Sequence, residues 1–412
     1  MVVATVEPQA SFAQPLDLSS RDFAENKSTY FAWMREEAPV CRAKISVMKI
    51  FLVSRYEDCV QLLRDERFVR NRATATGKSR LPFPMPKVLA MMMRDSMIYA
   101  DNPQHARLRG LVNKAFTARS LENMEGRVET VTGELLDAMK NQGTVDLLSD
   151  YATPIPSTVI AEMMGVPMET IPRFQAFMKT LTEGFSGWSI LRTLFWELRK
   201  TGSFIRQLVE EKRLHPGDDL LSEIIQTEED GERLSDEEVM SMVFLLVVAG
   251  FETTSHLVTN SVATFLQNPV QLERFRGEPS LTDSAIEECL RHSGPVHSTK
   301  PSYAREDVEW HGVSIPKGSM VMPWLGAANR DPSVFADPET FDIGRSPNRH
   351  LAFSQGLHFC LGASLARMEA RVALSRLFER YPNLRLAVPS EQLEWATMPG
   401  WHRMKALPVT LG

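Results

Sequence analysis

Apolar positions follow a helical rhythm through most of the chain from about residue 103 onward. The clearest stretch is 235–267, SDEEVMSMVFLLVVAGFETTSHLVTNSVATFLQ. Ser235 and Glu238 have the spacing of a capping box, and Asn268-Pro269 is a natural stop. At about 1.5 Å per residue, thirty-odd residues make a helix of roughly 48 Å. Its first half is apolar on nearly every side, so it should run through an interior. One helix crossing the whole body predicts a single compact unit.

The same pattern predicts helices over about 26–38, 56–65 and 363–380. Residues 45–54 are rich in Ile, Val and Phe and read as strand. Residues 300–325 read as short strands with turns at His311-Gly312 and Pro316-Lys317-Gly318, and LPVTL near the C-terminal end reads as another. Residues 331–350 are Pro- and Asp-rich and irregular, and 80–95 (RLPFPMPKVLAMMMRD) is a loop with a short, Met-rich helix. The fold class is mainly α with small β-sheets. Residues 1–20 carry neither a signal nor a transit pattern and read as a loose arm, leaving 21–412 as one domain.

Composition narrows the function. The chain has 412 residues, 43% hydrophobic and 24% charged, as in ordinary globular proteins. A net charge of −6 gives no electrostatic basis for nucleic-acid binding. The longest purely apolar run, about 243–249, is far below a membrane span, which needs roughly 20 residues. The four cysteines, Cys41, Cys59, Cys289 and Cys360, form no CxxC pair, which argues against structural zinc and for a reducing, cytoplasmic compartment.

Four constellations carry candidate chemistry. Cys360 lies in FSQGLHFCLG, between Gly356 and Gly362 and just before a helix. A helix N-terminus stabilises a thiolate, and a lone thiolate suits a metal already held by a macrocycle, although most free cysteines are inert core thiols. Within the long helix, Ala249-Gly250-Phe251-Glu252-Thr253-Thr254 puts a glycine, an acid and two hydroxyls where apolar residues surround them. This reads as a packing glycine with a kink, or as a groove for a small molecule beside a proton-passing pair. Glu288 and Arg291 share a helix face, as many surface ion pairs do. His105 and Arg109, one turn apart after Pro103, can grip a carboxylate or simply be solvated.

In this order and spacing, the four motifs resemble the cytochrome P-450 family of haem-thiolate monooxygenases, closest to its soluble bacterial branch. The Cys loop resembles F-x-x-G-x-H-x-C-x-G, the long helix A-G-x-[DE]-T, and Glu288 and Arg291 the ExxR motif. The resemblance implies a single-domain cytochrome P-450 fold with haem between the long central helix and the Cys-loop helix. It implies haem b and O2, with Cys360 as the axial iron ligand. His105, Arg109 and His358 would hold the propionates, with Lys300 replacing the usual arginine. Phe353, Ala249, Gly250, Met97, Ile98 and Gly362 would contact the haem, while Arg345 would complete the buried cluster of Glu288 and Arg291. Glu252 and Thr253 would deliver protons.

The implied activity is insertion of one oxygen atom into an apolar organic substrate, by hydroxylation or epoxidation. The expected pocket residues are Met85, Val88, Met92, Leu181, Leu245, Val248, Val296 and Trp401. The expected assembly is a monomer that receives electrons from NAD(P)H through a separate reductase and a ferredoxin or flavodoxin, docked near Arg349, Arg367 and Arg371. A peroxide-driven peroxygenase and a non-catalytic haem-thiolate sensor are the alternatives. The Glu252-Thr253 pair argues against both.

Overall fold

Strand alternation sorts the first part of the chain into two apolar layers. The structure is a computed structural model and describes residues 15–77, 96–115, 118–171, 198–229 and 231–412. By internal contacts it divides into two compact units, Met1–Ser79 with His256–Cys360 and Tyr381–Gly412, and Arg80–Ser255 with Leu361–Arg380. The first unit holds a six-stranded sheet in the order Leu16–Asp17, Val40–Ile45, Met48–Val53, Met320–Pro323, Ser302–Ala304, Phe68–Val69. Ile50 and Leu52 face one cluster with Phe23, Phe31 and Trp324, while Val53, Val40 and Val321 face another with Tyr56, Trp310 and Phe335. That is the period of two a sheet covered on both faces requires.

Two expectations change here. Residues 45–54 are not one strand. The pairing Ile45↔Met48 closes a hairpin, because Ser46 takes φ 54° and reverses the chain. Residues 16–18, expected in the loose arm, are instead part of the first unit. Leu16 pairs with Ala43, and Leu16 and Leu18 are buried. The expected turns at His311-Gly312 and Gly318 have positive φ (47°, 73° and 83°), between the short strands predicted there.

The same unit contains the Glu288–Arg291 pair, with both side chains fully buried. A plain surface ion pair is therefore excluded. Every N–H of the Arg291 guanidinium is used: Nε and Nη2 donate to the Glu288 carboxylate at 2.8 and 2.7 Å, Nη1 to the carbonyls of Asn329 and Pro338, and Nη2 to that of Thr340. Arg345 reaches Glu288 at 3.2 Å, as the family resemblance implied, and Asn348 and the Asp342 amide donate to it as well. One ion cluster thereby pins the irregular 329–348 stretch, which has almost no regular backbone bonding of its own.

The second unit is helical. Its helix Ala118–Met139 pairs with Ala363–Arg380 through Glu125–Arg371, Glu129–Arg376 and Asp137–Arg380 at 2.7, 2.9 and 2.8 Å. The partners advance together along both helices, so the two run parallel. The long helix is Asp236–Gln267. Its capping box is complete: the Ser235 amide donates to Glu238 at 2.9 Å and the Glu238 amide to Ser235 Oγ at 3.2 Å. Among the described residues it alone is long and apolar enough to cross a membrane, but 61% of its most apolar stretch is buried in the protein, as in a core helix.

Replacing Glu288 by Gln should leave the Arg291 charge buried and poorly compensated, at a cost of about 3–5 kcal/mol. A urea titration would show this as a lower midpoint. An unchanged midpoint would mean that the cluster contributes little.

Candidate active site

Of the four thiols, three are core residues. Burial pushes Cys41 and Cys289 up to about 12 and Cys59 further still. Cys360 differs, being only half-buried. Its loop is closed by backbone bonds from the Cys360 amide to the Phe353 carbonyl (3.0 Å), the Phe359 amide to Gly356 (3.1 Å) and the Ser354 amide to Leu351 (2.8 Å). Gly356 has φ 70°, and a Cβ there would sit 2.9 Å from the Leu63 carbonyl, so only glycine fits. Ser354 also takes a left-handed conformation, φ 62°, and its buried hydroxyl has no hydrogen-bond partner among the described residues.

Side chains brace the loop from outside. His350 Nε2 lies 3.0 Å from Glu287, next to the ExxR glutamate, and its Nδ1 accepts from the Ala352 amide at 3.2 Å. The Asn329 side chain accepts from the Leu351 amide at 2.6 Å, and its carbonyl accepts from Arg291. Arg64 bonds Gln355 at 2.9 Å. The helix Ala363–Arg380 begins three residues after Cys360 in the chain.

Between buried neighbours, the long helix leaves one face uncovered. Leu245, Val248 and Thr253 are half-buried and Ala249 is exposed, while Val247 and Phe251 are buried. Positions 245, 249 and 253 recur every fourth residue, so they share a face. The Thr253 hydroxyl donates to the Ala249 carbonyl at 2.7 Å, the back-bond expected of a mid-helix threonine. Glu252 is buried. A Cβ on Gly250 would meet Ile160 at 3.4 Å, so this glycine packs against helix Pro154–Met163.

His105, on helix Gln104–Ala115, is buried. Burial and the adjacent Arg109 charge hold its pKa down to about 4, so the pair is close, as their spacing predicted. Met97 is buried and Ile98 half-buried. Val296 and Trp401 are brought together as a bridge pair. Lys300 is exposed, while Arg70 is buried and its Nη2 donates to Thr299 at 3.1 Å. His358 is half-buried, and a Cβ at Gly362 would meet nothing within 4 Å. Met85, Val88, Met92 and Leu181 lie outside the described residues.

The spacing also hid Glu369. It lies on the apolar stripe Leu365, Glu369, Ala373, Leu377 of the Cys-loop helix, is buried, and shares a hydrogen bond with Thr254. Burial pushes it up to about 8. An acid inside an i, i+4 apolar stripe was the available signal.

These residues suit an iron porphyrin. An accessible thiol at a helix N-terminus is a soft axial ligand, a buried imidazole beside a guanidinium suits a carboxylate, and an uncovered apolar helix face suits a flat ring. The family model for cytochrome P450 matches residues 17–395. The chain belongs to the cytochrome P450 family. The polyketide biosynthesis cytochrome P450 PksS of Bacillus subtilis is 36% identical over 395 residues, covering 95% of this chain and 97% of that protein. Cytochrome P450 107B1 of Saccharopolyspora erythraea is 40% identical over 394 residues, covering 95% and 96%. The PksS structure superposes with a TM-score of 0.88 at 36% identity, covering 96% of this chain and 99% of that one. A P450BioI structure bound to an acyl carrier protein gives 0.85 at 35% identity, covering 95% and 99%. This P450 is therefore an enzyme of the monooxygenase class, with haem b as cofactor and O2 as co-substrate.

Two expectations follow from the site. Ser354→Gly should stabilise the protein by about 1 kcal/mol, because the left-handed conformation costs non-glycine residues roughly 1–2 kcal/mol; an unchanged melting midpoint would refute a strained Ser354. Glu369 has a raised folded-state pKa. The folded protein keeps its proton from pH 4.5 to about 8 while the unfolded chain loses it, so the stability associated with this group falls across that window. Glu369→Gln should flatten the fall, seen as a narrowing gap between mutant and wild-type melting midpoints from pH 8.5 down to pH 5.

Proposed function

We propose that the chain hydroxylates or epoxidises a bulky apolar organic molecule, using electrons from NAD(P)H carried by a separate ferredoxin or flavodoxin. The single observation carrying this is the half-buried Cys360 at the N-terminal end of a helix, the one thiol of four outside the core. When bound, the thiolate-ligated haem supplies reductive activation of O2 and oxygen insertion.

Each residue then has a task. Cys360 ligates the iron, and its loop bonds and His350 fix where the sulfur sits. His105, Arg109 and His358 hold the propionates, and Arg70, buried beside Thr299, takes the part the resemblance gave to Lys300. Ala249 and Thr253 offer the uncovered helix face. Thr253 Oγ1 and the Glu252 carboxyl move protons toward the reacting oxygen, while Glu369, neutral at pH 7, keeps a proton one residue away at Thr254. Val296 and Trp401, paired in the first unit, supply an apolar wall, and Leu245 and Val248 are apolar candidates on the long helix. Relatives named as a vitamin D(3) 25-hydroxylase and a 6-deoxyerythronolide B hydroxylase, and structures holding myristic acid or testosterone, support a large apolar substrate.

For the electron carrier, the exposed Leu357 and Phe359 beside Arg64 offer an apolar contact with a basic edge, with Arg349 and Arg367 nearby in sequence. Arg371 is less available, being tied to Glu125 at 2.7 Å.

The reduced, CO-bound protein should show the absorption band of thiolate-ligated haem, and Cys360→Ala should abolish it. With surrogate ferredoxin and reductase, NAD(P)H should be consumed with product formed. Thr253→Ala should keep that band but release peroxide in place of most product, for a roughly 10²-fold loss of productive turnover. Unchanged coupling in the mutant would refute proton delivery by Thr253, and absence of NAD(P)H-driven turnover in wild type would favour the sensor.

A further inference from the structure

Val296 and Trp401 form an isolated antiparallel bridge, and three backbone bonds tie the short extended segments around it into a ribbon. The His297 and Ser298 amides donate to the Gly400 carbonyl at 2.8 and 3.2 Å, and the His402 amide donates to Pro295 at 2.8 Å. Successive side chains of such a ribbon point to opposite faces. Val296 and Trp401 therefore share one face, and His297 and His402 the other.

The second face is built with care. The Trp395 and His402 rings stack at 3.9 Å and 7°, His402 and His297 at 4.9 Å and 15°, and Phe31 meets His297 edge-on at 5.3 Å. A Cβ on Gly326 would come within 2.7 Å of the His297 ring, so this glycine is required for the stack. Asn260 Nδ2 holds the carbonyls of His402 and Ser293 at 2.8 and 2.9 Å. Burial keeps both histidines neutral.

One charge reaches this stack at bonding distance. Lys27, the first residue of helix Lys27–Glu36, donates through Nζ to the Trp401 carbonyl at 3.0 Å and lies 3.4 Å from His402 Nδ1. An ammonium only donates, so His402 Nδ1 accepts and its proton sits on Nε2. Burial lowers Lys27 to about 8. Its place in the first turn, at the positive end of the helix dipole, also disfavours the charge. A cation held against both effects is a poor surface ornament and a strong candidate for a defined task.

We propose that Lys27 is a positioning residue for the substrate: by binding the Trp401 carbonyl and His402 it fixes the ribbon, and so sets the wall formed by Val296 and Trp401. This rests on the reading of those two residues as pocket lining. Proton delivery belongs to other residues, so the effect falls on ligand fit.

The test uses the holoenzyme with Lys27→Met and Lys27→Arg. Amide hydrogen exchange over residues 296–298 and 400–403 should speed up about tenfold in Lys27→Met, as loss of one charge-assisted hydrogen bond implies, and recover in Lys27→Arg. Dissociation constants come from the Soret shift with two probes. For 4-phenylimidazole, whose phenyl ring needs apolar lining, the constant should rise about tenfold in Lys27→Met; for imidazole, which carries no such ring, the constant should stay put. Unchanged exchange, or equal effects on both probes, overturns the proposal. A wild-type protein without the thiolate–CO band would overturn the pocket reading instead, while the exchange data would still decide whether Lys27 holds the ribbon.

Discussion

A fully buried pair, Glu288 and Arg291, is the constraint on which the catalytic half of the first unit depends. Burying two charges is expensive, and the mutual attraction repays it only when the remaining donors and acceptors are also satisfied. Here all five guanidinium N–H groups are bonded, three of the bonds going to main-chain carbonyls. Those carbonyls belong to residues 329–340, which have no helix or strand to satisfy them. The ion pair thus substitutes for secondary structure. Asn329 then passes the restraint on, since its carbonyl receives Arg291 while its side chain receives the Leu351 amide at the start of the thiol loop. Glu287, the neighbour of Glu288, does the same through His350. Two adjacent acids on one helix hold the loop by separate routes.

The long helix has a different problem. A core helix is stable when covered on every side, yet the stretch around Ala249 is less covered on one face and buries Glu252 on another. Back-bonds from Ser255, Ser261 and Thr264 to carbonyls four residues earlier satisfy hydroxyls that would otherwise be buried and unpaired. Glu369 shows the complementary solution, an acid kept neutral by burial and bonded to Thr254. Neutral carboxyl and back-bonded hydroxyl are inexpensive to bury, and both still hold an exchangeable proton. Storage of polar chemistry in an apolar helix is possible on those terms.

The legible parts of the sequence were local. The capping box at Ser235 and Glu238, the 363–380 helix and the turns at His311-Gly312 and Gly318 each follow from a few adjacent residues. The thiol loop was legible as a motif, but the reason for its shape was not. The motif leaves the position of Ser354 unspecified, yet its φ of 62° is one that favours glycine. Non-local features stayed hidden. Arg70 meets Thr299 across 229 positions, a contact that nothing in the residues around 299 announces. Residues 45–54 carry uniform strand propensity, and the reversal at Ser46 has no proline or glycine to announce it. Burial of Glu288 and Arg291 was equally invisible, because the same i, i+3 spacing serves a solvated pair.

The supports of the thiol loop and of the Val296–Trp401 ribbon use different groups. The loop depends on Glu287, Glu288, Arg291 and Asn329. The ribbon depends on Lys27, Asn260 and the His297–His402–Trp395 stack. The two sets meet at one point, since Asn260 also holds the Ser293 carbonyl at the end of the helix that carries Glu287, Glu288 and Arg291. Effects of distant, unshared contacts add, whereas those within one network couple. Changes at Lys27 therefore act first on the ribbon, while changes at Asn260 act on both the ribbon and the helix behind the thiol loop.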